Sequence, residues 1–161
     1  MVVSPFEVNA MNSKNKTNIP SLEQFPHRQS ITTRWHDNDV YGHVNNVVYY
    51  SWFDTAVNNY LIDRGVLDFC SGSIVGLVVE TQCNYFQPVT FPDLVVAGVS
   101  VAKIGNSSVR YEVGIFRNDE SEASASGHFI HVYVDKQSRR PVPLPDDFRQ
   151  ALALIQHQGA R

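Results

Sequence analysis

Two carboxylates and an imidazole lie within seven residues of one another in the run Asp37-Asn38-Asp39-Val40-Tyr41-Gly42-His43. Taken alone, aspartates two apart before a glycine are ordinary turn chemistry, since short polar side chains bond their own backbone. The segment after the turn changes their meaning. Val47–Leu61 reads as a helix with Tyr49, Tyr50, Trp52, Phe53 and Tyr60 on nearly every side, and Asp54 is its only charge. A helix apolar all round must be buried, and fifteen residues are too few to cross a bilayer. Asn45 or Asn46 is a good N-cap, so the positive end of the helix faces the acidic turn. That end favours an ionised carboxylate, and its first free N–H groups could polarise a carbonyl oxygen. One carboxylate with one such donor suffices for acyl transfer to water.

The remaining candidates are weaker. His43 could be a base, a ligand or a hydrogen-bond donor. A D-x-D with a histidine four residues on could hold a metal, but no second ligand cluster appears, and neither metal nor cofactor is expected. Asp54, two turns into the helix, is costly unless partnered, and reads as a buried carboxylate that orients the loop. The strand phase of Glu80 sets it opposite the apolar face, as a solvated or interface residue. His128 and His131 fall on opposite faces of one strand and cannot chelate together. Cys70 and Cys83 have no neighbouring base, and no G-x-S-x-G, Walker or Rossmann pattern occurs. These residues alone support a hydrolase or a lyase, without specifying a substrate.

The elements that must hold this turn are read from periodicity. Residues 1–26, rich in Asn, Ser and Lys, read as a mobile tail, and 27–161 as a single domain. Gln29–His36 alternates as a half-buried strand, with Ile31, Thr33 and Trp35 on one side. Further strands are expected at Ile74–Phe86, Leu94–Ile104, Ser108–Phe116 and Ala123–Asp135. In the first of these Val75, Leu77, Val79, Thr81, Cys83 and Tyr85 share a face. The helix should end at Arg64-Gly65, and an amphipathic helix carrying Phe148, Ala151, Leu152 and Ile155 closes the chain. One strand, one buried helix and four strands joined by short turns make an α+β domain, a curved, mainly antiparallel sheet wrapped around a central helix. A net charge of −3 and a pI near 6.0 argue against nucleic acid as a partner. No segment has signal-peptide or transmembrane form, and two cysteines are too few for a disulfide framework, so a cytoplasmic protein without membrane partners is expected.

Arg34-Trp35-His36-Asp37-Asn38-Asp39-Val40-Tyr41-Gly42-His43-Val44-Asn45-Asn46, continuing to Tyr49 and Asp54, resembles the N-terminal motif of hotdog-fold acyl-CoA thioesterases of the 4-hydroxybenzoyl-CoA thioesterase type, and most of all the subgroup carrying G-H-V-N-N. The likeness extends through Tyr85-x-x-Pro88 and Phe91-Pro92-Asp93 to Pro141–Pro145. It implies a hotdog fold, hydrolysis of an acyl- or aryl-CoA, and Asp39 as the catalytic carboxylate, either nucleophile or general base. It implies the Asn46 backbone N–H as the carbonyl-polarising donor. Gly42, His43, Asn45, Tyr49 and Asp54 are then expected around the substrate, in a homodimer or homotetramer. Two rivals stand beside it: an enoyl-thioester hydratase, which would need His43 as much as Asp39, and a non-catalytic acyl-CoA-binding protein of the same fold.

Overall fold

Five strands carry the apolar alternation of the chain: β1 (His27–Thr32), β2 (Ile74–Tyr85), β3 (Leu94–Ile104), β4 (Ser108–Arg117) and β5 (Ala125–Asp135). The computed structural model describes residues 18–157. The strands form one antiparallel sheet in the order β1-β3-β4-β5-β2, with β1 and β2 at its edges. Helix α1 (Asn46–Asp63) lies against one face, and α2 (Asp146–Ala153) closes the core near the chain end.

Tyr49, Trp52, Phe53, Ala56, Val57, Tyr60 and Leu61 are the buried residues of α1, a spacing of three and four that turns one side inward. They meet Val95, Ala97 and Val99 of β3, Tyr111, Val113 and Ile115 of β4, and Phe129 and Tyr133 of β5. Phe53, fully buried, stands edge-on to Phe129 with ring centres 5.8 Å apart. Truncating such an aromatic to alanine costs about 3–5 kcal/mol. The helix is not enclosed on all sides, however. Val47, Ser51, Asp54, Thr55 and Ile62 are exposed, because a single sheet covers only one side of a cylinder. Asp54 is therefore not the buried, loop-orienting carboxylate that the sequence suggests.

Three further expectations are corrected. In β2, Val78 pairs with His131 and Glu80 with Ile130, so Val79 is an extra residue that reverses the phase of the strand. Val75 and Leu77 consequently share a face with Glu80, Gln82 and Asn84, while Val78 lies with Thr81, Cys83 and Tyr85 on the helix side. Strand β1 stops at Thr32, and Trp35 opens a short 3-10 turn (Trp35–Asp37) in which its ring is exposed and edge-on to Phe91 at 5.9 Å. Finally, the chain reaches the sheet before residue 27. Of the expected tail, 1–17 lies outside the described residues. The Pro20 carbonyl accepts the Ala123 N–H at 2.9 Å, the Leu22 N–H donates to the Ser121 carbonyl at 2.9 Å, and Phe25 is buried. Phe25 lies against Gly98 and Gly114 on the sheet face turned away from α1, and meets the Phe116 ring at 5.7 Å.

Candidate active site

The two aspartates of the turn have opposite fates. Asp37 is 1% exposed, and both its oxygens are taken. The Arg34 backbone N–H donates to Oδ2 at 2.7 Å, and the Arg34 guanidinium donates to Oδ1 at 2.7 and 2.9 Å. The Asp37 carbonyl also accepts the Asn45 N–H at 2.9 Å. It is a buried anchor, with its charge met by a cation and an amide. Asp39 is half-exposed. Its Oδ1 accepts the Tyr41 N–H at 2.8 Å, and no hydrogen bond to Oδ2 is found among the described residues. Of the pair, Asp39 keeps an oxygen for other chemistry.

Asp39 is brought to the helix by its own backbone. Its N–H donates to the His43 carbonyl at 2.8 Å, and its carbonyl accepts the Gly42 N–H at 3.1 Å. Gly42 turns the corner at φ +81°, a conformation that a side chain would strain. The turn thus closes three residues before Asn46. Asn45 is the N-cap: its side chain accepts the Val47 N–H at 3.1 Å, and its carbonyl accepts the Val48 N–H at 2.9 Å. No hydrogen bond from the Asn46 N–H is found among the described residues. Asp39 Oδ2 and the first amide of an eighteen-residue helix are therefore both without a hydrogen-bond partner at this corner among the described residues.

The other expected site residues lie at different depths. His43 and Asn45 are half-buried within the turn, and Asn46 is exposed. Tyr49 is 2% exposed, packed against Trp52 at 5.1 Å and Tyr85 at 5.0 Å, so it forms the floor beneath the corner. Burial pushes its hydroxyl up to about 12, opposed in part by the Val89 backbone. Asp54 lies eight residues into α1, about 12 Å along the axis from Asn46. It is exposed, and desolvation by the packed protein on its inner side raises its carboxyl above the ordinary value. Glu80 is remote from the turn, bonded to His128 Nε2 at 2.7 Å on the sheet face away from α1. Burial raises the Cys83 thiol to about 11, which keeps it protonated and unreactive.

Three residues outside the expected site set hold the corner. Asn38 Oδ1 accepts the Phe91 N–H at 3.0 Å, and its amide donates to Thr90 Oγ1 at 3.3 Å. The Thr90 hydroxyl donates to the Gly42 carbonyl at 2.6 Å. The Tyr85 hydroxyl donates to the Asn46 carbonyl at 3.1 Å. All are long-range contacts between segments that nothing local in the sequence pairs. A cavity of about 160 Å³ opens at the opposite end of α1, between Gly65–Asp68, Gly72–Ile74, Pro145 and Phe148. Its one carboxylate, Asp68, is already fully bonded within its own turn. Among the described residues no group of three or more His, Cys, Asp or Glu could hold a metal ion.

The chain and its fold are similar to those of known proteins. The sequence pattern of the thioesterase-like superfamily matches residues 33–152. The PA5185 protein of Pseudomonas aeruginosa strain PAO1 superposes with a TM-score of 0.85 at 54% identity, covering 88% of this chain and 99% of its own. A thioesterase of Thermus thermophilus, solved in complex with coenzyme A and Zn, superposes with a TM-score of 0.70 at 33% identity, covering 83% of this chain and 97% of its own. The uncharacterised protein YsmA of Bacillus subtilis (strain 168) is 24% identical over 122 residues, 76% of this chain and 82% of its own. The matched span begins just after β1 and runs through the acidic turn and α1 to the closing helix. This chain belongs to the thioesterase-like superfamily and is a thioester hydrolase of the hotdog fold.

Proposed function

We propose that the protein hydrolyses an acyl- or aryl-CoA thioester to the free acid and CoA, in the manner of the 4-hydroxybenzoyl-CoA thioesterase type. One observation carries this reading: a carboxylate oxygen and a helix N-terminal amide at the same corner both lack a hydrogen-bond partner among the described residues, while the backbone of the turn between them is bonded. The thioester carbonyl oxygen rests on the Asn46 N–H, whose partial positive charge grows in value as the oxygen becomes an anion. Asp39 either attacks the carbonyl carbon, giving a mixed anhydride and free thiolate, or removes a proton from the attacking water. Gly42 lets the ester approach the backbone, His43 and Asn45 line the approach, Tyr49 supports it from below, and Asp54 meets the substrate further along the helix. The coenzyme A of the Thermus thermophilus relative supports the choice of thiol.

The working unit in this reading is a homo-oligomer in the cytoplasm. A twelve-residue edge strand with Leu77, Val78 and Val79 exposed is a ready template for pairing with another copy, and the open side of α1 adjoins the same corner. No helix among the described residues is long and apolar enough to cross a membrane. Light scattering should return at least twice the 18.1 kDa of one chain; the monomer mass would refute assembly. The activity is tested by thiol release from short, medium, long and aryl acyl-CoAs. Release with at least one ester, falling by about 10²-fold or more in Asp39→Asn, supports the reading. Binding without release from any of them sinks it.

A further inference from the structure

Gly42 is the hinge between the two groups on which the proposed reaction depends. It comes three residues after Asp39 and four before Asn46, and at φ +81° it takes a backbone conformation open to glycine and costly for other residues. Whatever fixes its carbonyl fixes the angle between the carboxylate and the helix amide. We propose that Thr90 is a positioning residue for this reaction, its hydroxyl latching the Gly42 carbonyl; the inference rests on the reading of Asp39 and Asn46 given above.

The contacts around Thr90 suit a latch. Its Oγ1 donates its only proton to the Gly42 carbonyl at 2.6 Å and accepts from the Asn38 amide at 3.3 Å. Its proton is thus committed to the backbone, which leaves it no acid or base role. Thr90 is itself held, because its N–H donates to Asp93 Oδ2 at 3.0 Å and its carbonyl accepts the Asp93 N–H at 2.7 Å. Asp93 Oδ1 in turn accepts from Asn118 at 3.1 Å, and the Asp93 carbonyl accepts the Thr33 hydroxyl at 2.6 Å. Arg117 secures the start of the same loop through the Pro88 carbonyl at 2.6 Å and Gln87 Oε1 at 2.8 Å. The β2–β3 loop is therefore a rigid support, and the Thr90 hydroxyl is its side-chain contact with the Gly42 hinge. Removing that hydroxyl leaves the backbone bonds Val44 N–H to Val89 and Asp39 N–H to His43 in place, each at 2.8 Å. The turn should stay folded while its aim degrades.

Thiol release is measured side by side on wild type, Thr90→Val, Thr90→Ser and Asp39→Asn. Thr90→Val should lower kcat about ten-fold or more, since small misplacements of reacting groups are expensive, with KM within about three-fold of wild type. Thr90→Ser should recover most of the rate, and the shape of the pH–rate profile should not move. A valine variant as fast as wild type overturns the proposal, and so does a loss that serine fails to restore. Should the valine variant not fold, Thr90→Ala against Thr90→Ser makes the same comparison. The two readings separate cleanly. A fully active Asp39→Asn enzyme defeats the carboxylate assignment, whereas a slow Asp39→Asn beside an unimpaired Thr90→Val removes only the latch.

Discussion

Both ends of α1 carry an aspartate in a tight turn, and only one end has the makings of a reaction centre. At the C-terminal end, Asp68 Oδ1 accepts the Cys70 and Ser71 N–H groups at 3.0 Å each, and Oδ2 accepts the Ser71 hydroxyl. These bonds hold its carboxyl below the usual aspartate range. At the N-terminal end, Asp39 spends one oxygen on the Tyr41 amide and keeps the other. The helix dipole then separates them further, since its positive pole lies at Asn46 and its negative pole at Asp63. The same side chain in the same kind of turn is structural where its lone pairs are consumed and the nearest pole repels it. It is available for chemistry where one oxygen remains and the pole attracts it.

The largest effect should come from breaking that contrast directly. Asp39→Asn should lose about 10²–10⁴-fold in kcat, the usual range for an acid–base group, while Asp68→Asn should turn over like wild type. Equal losses at both positions would end the comparison. Next comes a group between the two ends. His131 is buried among Tyr111, Phe129 and Tyr133 with its Nε2 unpartnered, and burial lowers it to about 4. Below the ordinary histidine value of 6.5 the unfolded chain takes up a proton that the folded chain refuses. Stability should therefore fall as pH drops from 6.5 towards 4 and level off below, by roughly 3 kcal/mol in all. Urea titrations of wild type and His131→Phe should diverge in that window, and parallel curves would show that His131 is not responsible. The phenylalanine variant also allows the acid limb of the rate profile to be read as the site rather than the fold.

The smallest effects test the two caps. Gly65, at φ +69° with open space where a Cβ would sit, terminates α1. Gly65→Ala should cost about 1–2 kcal/mol from backbone strain and leave kcat alone. Asn45→Ala should cost about 1 kcal/mol and also slow the reaction, because the lost cap frees the first turn next to the Asn46 amide. Similar melting shifts with unequal rates are the expected signature.

The sequence made some of this legible and hid the rest for physical reasons. The bounds of β3 are as the alternation predicts, since Leu94–Ile104 is flanked by Asp93 and Gly105-Asn106. The aromatic side of α1 and its glycine stop are equally plain. The phase reversal at Val79 was invisible, because Val75 and Leu77–Val79 are apolar on both sides of the strand and alternation has nothing to register. Asp37 and Asp39 look alike in sequence, and it is the 3-10 turn at Trp35–Asp37 that folds the Arg34 guanidinium, three residues back, onto the first. Phe25 was lost in a polar neighbourhood whose composition suggested a tail. Thr90 lay between Pro88 and Pro92, where turn residues are expected for their backbone rather than their hydroxyl.

The Phe25 cradle has a consequence for which substitutions the chain can tolerate. A methyl group on Gly98 would come within 2.6 Å of the Phe25 side chain, and one on Gly114 within 2.8 Å of both the Phe25 and Phe116 rings. Gly98 and Gly114 are partners across β3 and β4, so a single ring fills the space of two missing side chains. The three positions are bound into one unit. Neither glycine can gain a side chain while the phenylalanine stays, and a smaller residue at 25 would bare two adjacent strands at once. Positions 25, 98 and 114 lie in separate parts of the chain and are therefore coupled, and Gly114 stays closed by Phe116 even with a smaller residue at 25.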